Sequence, residues 1–492
     1  MKHFHEKFIL DGKKNRILHI LHMLERTHLL STSYLAKTVG ATTRTIISDI
    51  ATIREMMIDT VRIESTNLGY SFEILDMNDY KEKKQSISQD EPLYSIVNNI
   101  FWGEFLNPSL LADELNLSES IILRHMASLE HVIAEYQLTL STDPFCFEGD
   151  ECCIRKFFLD FFYETEVTIT TLLPTSKIKN IAYTLTKEGN LNIPFNKLCY
   201  ILIIVLERIQ TKHFVKVNSD IIEKVLSDIS FVQFKKNGEL FEKEFGTELS
   251  TDELIHLYIL ITADRSIFEI AEEINWVYTY RHKTVDRISE VYCDKFSIKP
   301  KDKVRIFIQS HLLSNYLLYR LHPIYVLNTP DIIAYTNSRY PIDFEKTLAV
   351  LNSFYCFSNI NNDEIKQSLV SNLTLFKNAL EDHYYLYPPK KVAFLLDGHR
   401  NICLKFQTTF MRYFSSECEA TFLTPCDLAD GHLEHENIDL LITNYPNYKE
   451  EFQINCECLL INLFSDSDDW NNVLVKINPR IVKYFSLKNS SL

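Results

Sequence analysis

The chain has 492 residues, 46% of them hydrophobic and 24% charged, with a formal net charge of −15. That length predicts several domains, roughly three to five, and that apolar content excludes wholesale disorder. Only 10 glycines occur, which argues against turn-rich β folds and phosphate-cradling loops, while long Leu/Ile/Phe-periodic stretches predict a mainly α, multidomain protein.

Residues 13–30 read as an amphipathic helix with Ile17, Leu18, Leu21 and Leu24 on one stripe. Ser33 to Thr38 then opens a helix-turn-helix, and Thr42 is a good N-cap for its second helix because its hydroxyl can accept from first-turn amides. Ile46, Ile50 and Ile53 face the core at i, i+4, i+7, which leaves Thr43, Arg44, Ser48 and Arg54 on other faces. The second helix of such a motif enters the DNA major groove, so Thr42, Thr43, Arg44, Ser48 and Arg54 are candidate contacts, with Arg44 first among them. Val61-Arg62-Ile63-Glu64 and Tyr70-Ser71-Phe72-Glu73-Ile74 alternate around Asn67-Leu68-Gly69 as a β-hairpin wing.

The motif occurs twice. Leu35-Ala36-Lys37-Thr38-Val39-Gly40-Ala41-Thr42 reappears, 76 positions on and without a gap, as Leu111-Ala112-Asp113-Glu114-Leu115-Asn116-Leu117-Ser118, and Ile46, Ile50 and Ile53 are matched by Ile122, Met126 and Leu129. Lys81-Glu82-Lys83-Lys84-Gln85-Ser86 reads as a charged linker between the copies. The second unit begins near Tyr94; Pro108 opens its first motif helix and Ser118 caps the next. Its exposed candidates are Ser120, Arg124, His125 and Ser128, although Glu119 at the leading edge repels phosphate. Leu138-Thr139-Leu140 and Phe145-Cys146-Phe147 flank Ser141-Thr142-Asp143-Pro144 as a second wing. Within residues 1–60, nine Lys/Arg stand against six Asp/Glu: a basic head on an acidic body, the charge distribution a DNA-docking face requires.

From about Glu151 to Tyr387 the pattern is long helices with apolar faces, such as Leu198 to Arg208, Leu254 to Ala263, Val304 to Leu321 and Phe344 to Phe354. Two related helical bundles joined near Tyr280–Ile298 account for it. His256, His311 and His322 are expected to be packed core histidines. After Pro388-Pro389 the pattern becomes a βαβ rhythm: strands at 392–396, 420–423, 439–443 and 458–461, and helices at Arg400 to Phe414 and Trp470 to Phe485. A parallel sheet of about four strands follows.

The 11 cysteines are odd in number and scattered; Cys152-Cys153 and Cys456-Glu457-Cys458 lack zinc-site spacing. Reduced, buried thiols, no metal and no cofactor are expected. Met1-Lys2-His3-Phe4-His5-Glu6 is too polar to begin an export signal, and runs such as 200–206 fall far short of the ~20 apolar residues a membrane span needs. These features predict a cytoplasmic protein with no membrane partner.

The order of these parts resembles the Mga/AtxA family of Gram-positive virulence regulators over nearly the whole length. The segments that carry the resemblance are Leu35–Ile53, Leu111–Leu129, Leu206-Glu207-Arg208-Ile209-Gln210-Thr211-Lys212-His213, and His383-Tyr384-Tyr385-Leu386-Tyr387-Pro388-Pro389. What it implies is a winged helix-turn-helix at 1–80 and a second at 81–160, phosphotransferase-system regulatory domains (PRDs) at 161–280 and 281–387, and an EIIB-like α/β domain at 388–492. The implied activity is transcription activation by a homodimer on double-stranded DNA, not enzymatic catalysis. Phosphorylation of His213 and His383 by the phosphocarrier HPr or an EIIB partner is also implied. An EIIB enzyme carries its phosphoryl group on a cysteine after the first strand; Asp397-Gly398-His399 stands there instead and Cys403 lies within the following helix, expected to be buried. A degenerate, dimerising domain fits that departure. The alternative is a phosphotransferase component working through Asp397 or a histidine.

Overall fold

Helix α1, Gly12–Thr27, puts Ile17, Leu18, Leu21 and Leu24 into the core. It stops short of the expected end because Leu29–Leu30 leave it as strand β1 and pair antiparallel with Ser71 and Tyr70. Helices α2 (Thr32–Thr38) and α3 (Thr43–Met56) form the helix-turn-helix. Strands β2 (Val61–Thr66) and β3 (Gly69–Ile74) form the wing, giving a three-stranded sheet of order β1-β3-β2. The computed structural model describes residues 4, 7–27, 29–87, 91–103, 107–142, 145–164, 174–189, 193–236, 238–265, 267–298, 303–384, 390–415, 417–424, 437–445, 456–462 and 464–478.

The expected linker at 81–86 is instead part of helix α4, Met77–Ser86, capped by Asp76. The charged run hides an i, i+4 pair. Tyr80 and Lys84 are buried, and both reach Glu25 of α1, the hydroxyl at 2.5 Å and the ammonium at 2.7 Å. A lysine buries its stem against apolar surface as readily as it faces water, so charge composition alone misread this segment.

The second unit repeats the first with α5 (Pro92–Trp102), α6 (Pro108–Glu114), α7 (Glu119–Ala134) and the wing β4 (Thr139–Thr142) and β5 (Phe145–Glu148); its turn at Asp143-Pro144 lies outside the described residues. Helix α8 (Glu151–Leu159) and a π turn at Asp160–Glu164 follow. Their phenylalanines join both winged units in one core: Phe161 meets Phe8 edge-on at 4.9 Å, and Phe157 meets Tyr136 at 5.3 Å.

A helical region continues the first of two compact units, Met1–Ala379. It comprises α9 (Ser176–Gly189), α10 (Phe195–Gln210), α11 (Ser219–Leu226), α12 (Ile229–Lys236), α13 (Gly238–Phe245), α14 (Thr251–Thr262), α15 (Ile270–Thr279), α16 (Lys283–Lys295) and α17 (Lys303–Leu321). After a 3-10 turn at Pro323–Val326 come α18 (Pro330–Arg339), α19 (Pro341–Asn352), α20 (Tyr355–Ser358) and α21 (Asp363–Tyr384). Leu313, Leu317 and Leu321 of α17 enter the core built by α9 to α14, so the two halves of this region interlock.

In the second unit, Leu380–Leu492, strands β6 (Lys391–Leu395), β7 (Glu419–Phe422), β8 (Leu440–Thr443) and β9 (Glu457–Leu460) pair in parallel in the order β7-β6-β8-β9. Helices α22 (Arg400–Tyr413) and α23 (Ser467–Ile477) contribute Phe410 and Trp470 to its core; Phe394 lies 4.4 Å from Phe410. The four-stranded parallel sheet matches the expectation. Pro388-Pro389 and the end of the expected last helix, 479–485, fall outside the described residues. No helix among the described residues is long and apolar enough to cross a membrane, and no disulfide joins the described cysteines. Cys356 is exposed and Cys403 half-buried, where buried thiols were expected.

Candidate nucleic-acid interface

The reading helix α3 starts as its sequence dictates. Thr42 is extended at φ −81°, ψ 156°, and its Oγ1 accepts from the Thr45 amide at 3.1 Å; Gly40, at φ +65°, supplies the left-handed residue of the preceding turn. Ile46, Ile50 and Ile53 are buried, while Thr42, Thr43, Arg44 and Ser48 are exposed together on the leading and outer faces. A short hydroxyl or a guanidinium there can reach phosphate or base edges with nothing to displace but water.

Arg54 is placed differently. Its Nε donates to the Ile63 carbonyl at 3.0 Å and its Nη2 to Ser65 Oγ at 3.0 Å, and the guanidinium lies 5.7 Å from the Tyr70 ring centre. These bonds brace α3 against its own wing, so Arg54 is a positioning residue here. The signal missed was the wing itself: a basic side chain in the last turn lies over the strand that the chain enters next.

The 76-residue register uncovers two more features. Asp49 and His125 occupy equivalent positions, and both are buried, at 1% and 8% exposure. Asp49 is held by Arg16 of α1 through Nε at 2.5 Å and Nη2 at 3.1 Å, a bidentate pair that fixes the reading helix on its support. Pro92 stands at the position equivalent to Arg16, and His125 Nδ1 has no protein partner. Burial first, then the Arg124 charge, lowers the His125 pKa, against a weaker opposing pull from Glu91. His125 therefore belongs to the stripe of Ile122, Met126 and Leu129, not to the exposed face expected of it; spacing i+3 from Ile122 and i+4 to Leu129 was the available sign. The second feature is apolar. Ile47 and Leu123, again equivalent, are 56% and 48% exposed on the outer faces of α3 and α7, where a methyl-bearing side chain can meet thymine methyl groups.

On α7, Ser118, Glu119, Ser120 and Arg124 are exposed and Ser128 is half-buried. Ser118 holds the N-cap position without a cap bond to the helix amides, its hydroxyl lying 3.0 Å from that of Ser120.

The two histidines implied as modification sites lie in different compact units. His213 follows the end of α10, exposed, with Nδ1 3.1 Å from Thr211 Oγ1 and its amide donating to the Arg208 carbonyl at 2.8 Å. Its pKa is lowered by partial burial and by Arg208, which keeps the imidazole neutral and nucleophilic near pH 7. His383 is exposed in the last turn of α21, edge-on to Tyr384 at 4.6 Å. By contrast His256 is fully buried with Nε2 2.6 Å from Tyr325 Oη, His311 stacks on Phe376 at 4.0 Å with its pKa brought down to about 4 by burial, and His322 Nδ1 accepts the Ile324 amide. Asp397 is exposed just beyond β6, its backbone bonded to the Asn444 amide side chain.

Residues 16–71, α1 through the first wing, match an HTH domain family. Residues 79–162 match the Mga helix-turn-helix domain. The second winged unit is thus similar to an Mga helix-turn-helix domain. Among curated proteins, the capsule synthesis positive regulator AcpB of Bacillus anthracis is 24% identical over 249 residues, covering 49% of this chain and 51% of the relative. The capsule synthesis positive regulator AcpA of the same organism is 22% identical over 269 residues, covering 52% and 54%. The chain spans about half the length of the curated relatives it matches. The resemblance to Mga-type regulators is borne out by these domains and relatives.

Proposed function

We propose that the protein is a DNA-binding transcription regulator of the Mga type, an activator that works as a homodimer in the cytoplasm, and not an enzyme. The observation that carries this reading is the doubled reading helix: Thr42-Thr43-Arg44 and Ser118-Glu119-Ser120 lead two helices at equivalent positions, with Ser48 and Arg124 one turn on. The matched domains are DNA-binding ones, and the named relatives are positive regulators. Short hydroxyls and few cations favour shape and sparse phosphate contacts over dense base contacts, and Glu119 keeps phosphate from the second leading edge.

Binding of the full chain to genomic duplex fragments across a salt series tests this. Arg44→Ala is expected to weaken a preferred fragment by about 1–3 kcal/mol if the guanidinium reads a base, and to flatten the salt slope by about one ion if it holds a phosphate. Equal affinity of parent and variant for every duplex removes Arg44 from the interface.

Phosphorylation of His213 and His383 by HPr or an EIIB partner would supply regulation, and the EIIB-like domain would supply dimer contacts. A phosphoryl group on His213 adds about −1.5 to −2 charges next to Arg208 and Arg155, the two cations that hold the start of α8 below the second wing. His213→Asp is expected to move reporter output in the direction of phosphorylation, and His213→Ala the opposite way. Identical output from both variants and the parent excludes a switch there. Labelled phosphate that passes from Asp397 or a histidine to a sugar would instead establish the phosphotransferase reading.

A further inference from the structure

Asp150, Cys153 and His322 meet at one point although 169 residues separate the cysteine from the histidine. Asp150 caps α8, its carboxylate accepting the Cys152 amide at 2.8 Å. Cys153 sits one turn into that helix, and His322 begins the 3-10 turn after α17. Cys153 Sγ lies 3.8 Å from His322 Nδ1 and 3.9 Å from Nε2, and Nε2 lies 4.0 Å from Asp150 Oδ1. All three donor atoms fall within 4.8 Å of one another.

We propose that these three side chains form a zinc site that staples the helix following the second wing to the end of α17. Bond lengths of ~2.3 Å to sulfur and ~2.0–2.2 Å to nitrogen or oxygen put neighbouring ligands of a tetrahedral ion ~3.3–3.6 Å apart. His322 Nε2 stands a few tenths of an ångström outside that spacing from both Cys153 Sγ and Asp150 Oδ1, and with all three donors within 4.8 Å of one another, side-chain rotations close the set. A thiolate, an imidazole and a carboxylate select a borderline-soft ion over magnesium or calcium, which prefer oxygen alone. Exposed Asp150 gives the ion a way in, while Cys153 is buried behind it. The fourth position is left to water.

Two local groups change on binding. Zinc takes up the Cys153 thiolate, and the thiol proton leaves to solvent. Affinity therefore rises with pH. His322 Nδ1 now accepts the Ile324 amide at 3.2 Å; coordination through either ring nitrogen gives up that one hydrogen bond for a metal–imidazole bond. A site of this kind would make the register of the second winged unit on the helical region depend on metal, a property separate from DNA recognition.

The test uses the full chain, stripped with chelator and titrated with cobalt(II), then with zinc. One equivalent of cobalt is expected to give a thiolate-to-metal charge-transfer band that one equivalent of zinc abolishes and excess magnesium does not. Cys153→Ser is expected to lose the band. Asp150→Asn, an exposed change that keeps a good N-cap, and His322→Gln are each expected to weaken cobalt binding at least tenfold. Cys356→Ser, at an exposed thiol elsewhere, should leave the band intact. Absence of a band at stoichiometric cobalt, its survival in Cys153→Ser, its loss in Cys356→Ser, or unchanged affinity in Asp150→Asn overturns the site. DNA affinity measured alongside separates this result from the regulator reading, which stands or falls on Arg44.

Discussion

Glu253→Ala is expected to destabilise the helical unit by about 3–5 kcal/mol, the cost of leaving a buried charge without its partner. Glu253 is fully buried on α14 and accepts three bonds: Arg155 Nη1 at 2.6 Å, Arg155 Nη2 at 2.9 Å and the Val215 amide at 2.9 Å. Arg155, itself buried, also donates to Glu151 at 2.9 Å and to the His213 carbonyl at 3.2 Å, and Arg208 grips the same Glu151 through Nε and Nη2. Two arginines and two glutamates thus balance one another where α8, α10 and α14 meet. Truncating Glu253 takes the bidentate partner from the Arg155 guanidinium and the acceptor from the Val215 amide in a dry site. Replacing Arg155 and Glu253 together by Met and Leu should recover most of the loss, because both desolvated charges vanish at once. Urea unfolding of the full chain, followed through its main helical transition, reads both results; a single variant that unfolds with the parent means the pair carries no stability.

The same cluster predicts an acid response. Burial by itself would raise the Glu151 carboxyl, but hydrogen bonds and charge from Arg208 and Arg155 outweigh it and hold the group below its ordinary 4.5. A depressed native pKa contributes stability above the unfolded value and loses it as pH falls through the native one. Its contribution is therefore complete at neutral pH and fades below about 4.5.

How much of this was legible in the sequence depends on distance along the chain. The doubled Leu-Ala turn, the Thr42 cap, the helix start at Pro108, and the βαβ tail are set by residues within a few positions of each other, and the structure keeps them. Lys81–Ser86 failed because Lys84 finds Glu25, 59 residues away, and no local property marks a lysine for burial. Arg54 keeps the exposure expected of it, but its bonds to the wing were not legible, because only the folded hairpin fixes that register. His125 is the instructive miss. Aligned on the repeat, it sits opposite Asp49, and treating both polar residues as members of an apolar stripe would have buried the two together. The Arg155–Glu253 pair and the contacts of His322 with Cys153 and Asp150 reach across 98 residues or more, beyond the reach of any spacing argument.

Gly69→Ala is expected to cost about 2–4 kcal/mol, from ~1–3 kcal/mol of backbone strain and the loss of about one or two net hydrogen bonds at ~1 kcal/mol each. Gly69 has φ +134°, a region closed to other residues. A Cβ there would overlap the Leu30 carbonyl oxygen and stand 2.6 Å from both the Leu30 carbonyl carbon and Ser31 Cα. All three obstacles are backbone, so no rotamer can yield, and β1 must leave β3 at the Leu30–Tyr70 pair. Gly40→Ala provides the contrast: φ is +65° and nothing lies within 4 Å of the added atom, so only the left-handed conformation is penalised, by about 1 kcal/mol. Amide exchange at Leu30 and Tyr70 should accelerate in the Gly69 variant alone. Because Arg54 is anchored on Ile63 and Ser65 of the hairpin, DNA affinity should fall with it. Equal exchange and equal affinity in the two glycine variants would mean that the wing does not hold the reading helix in place.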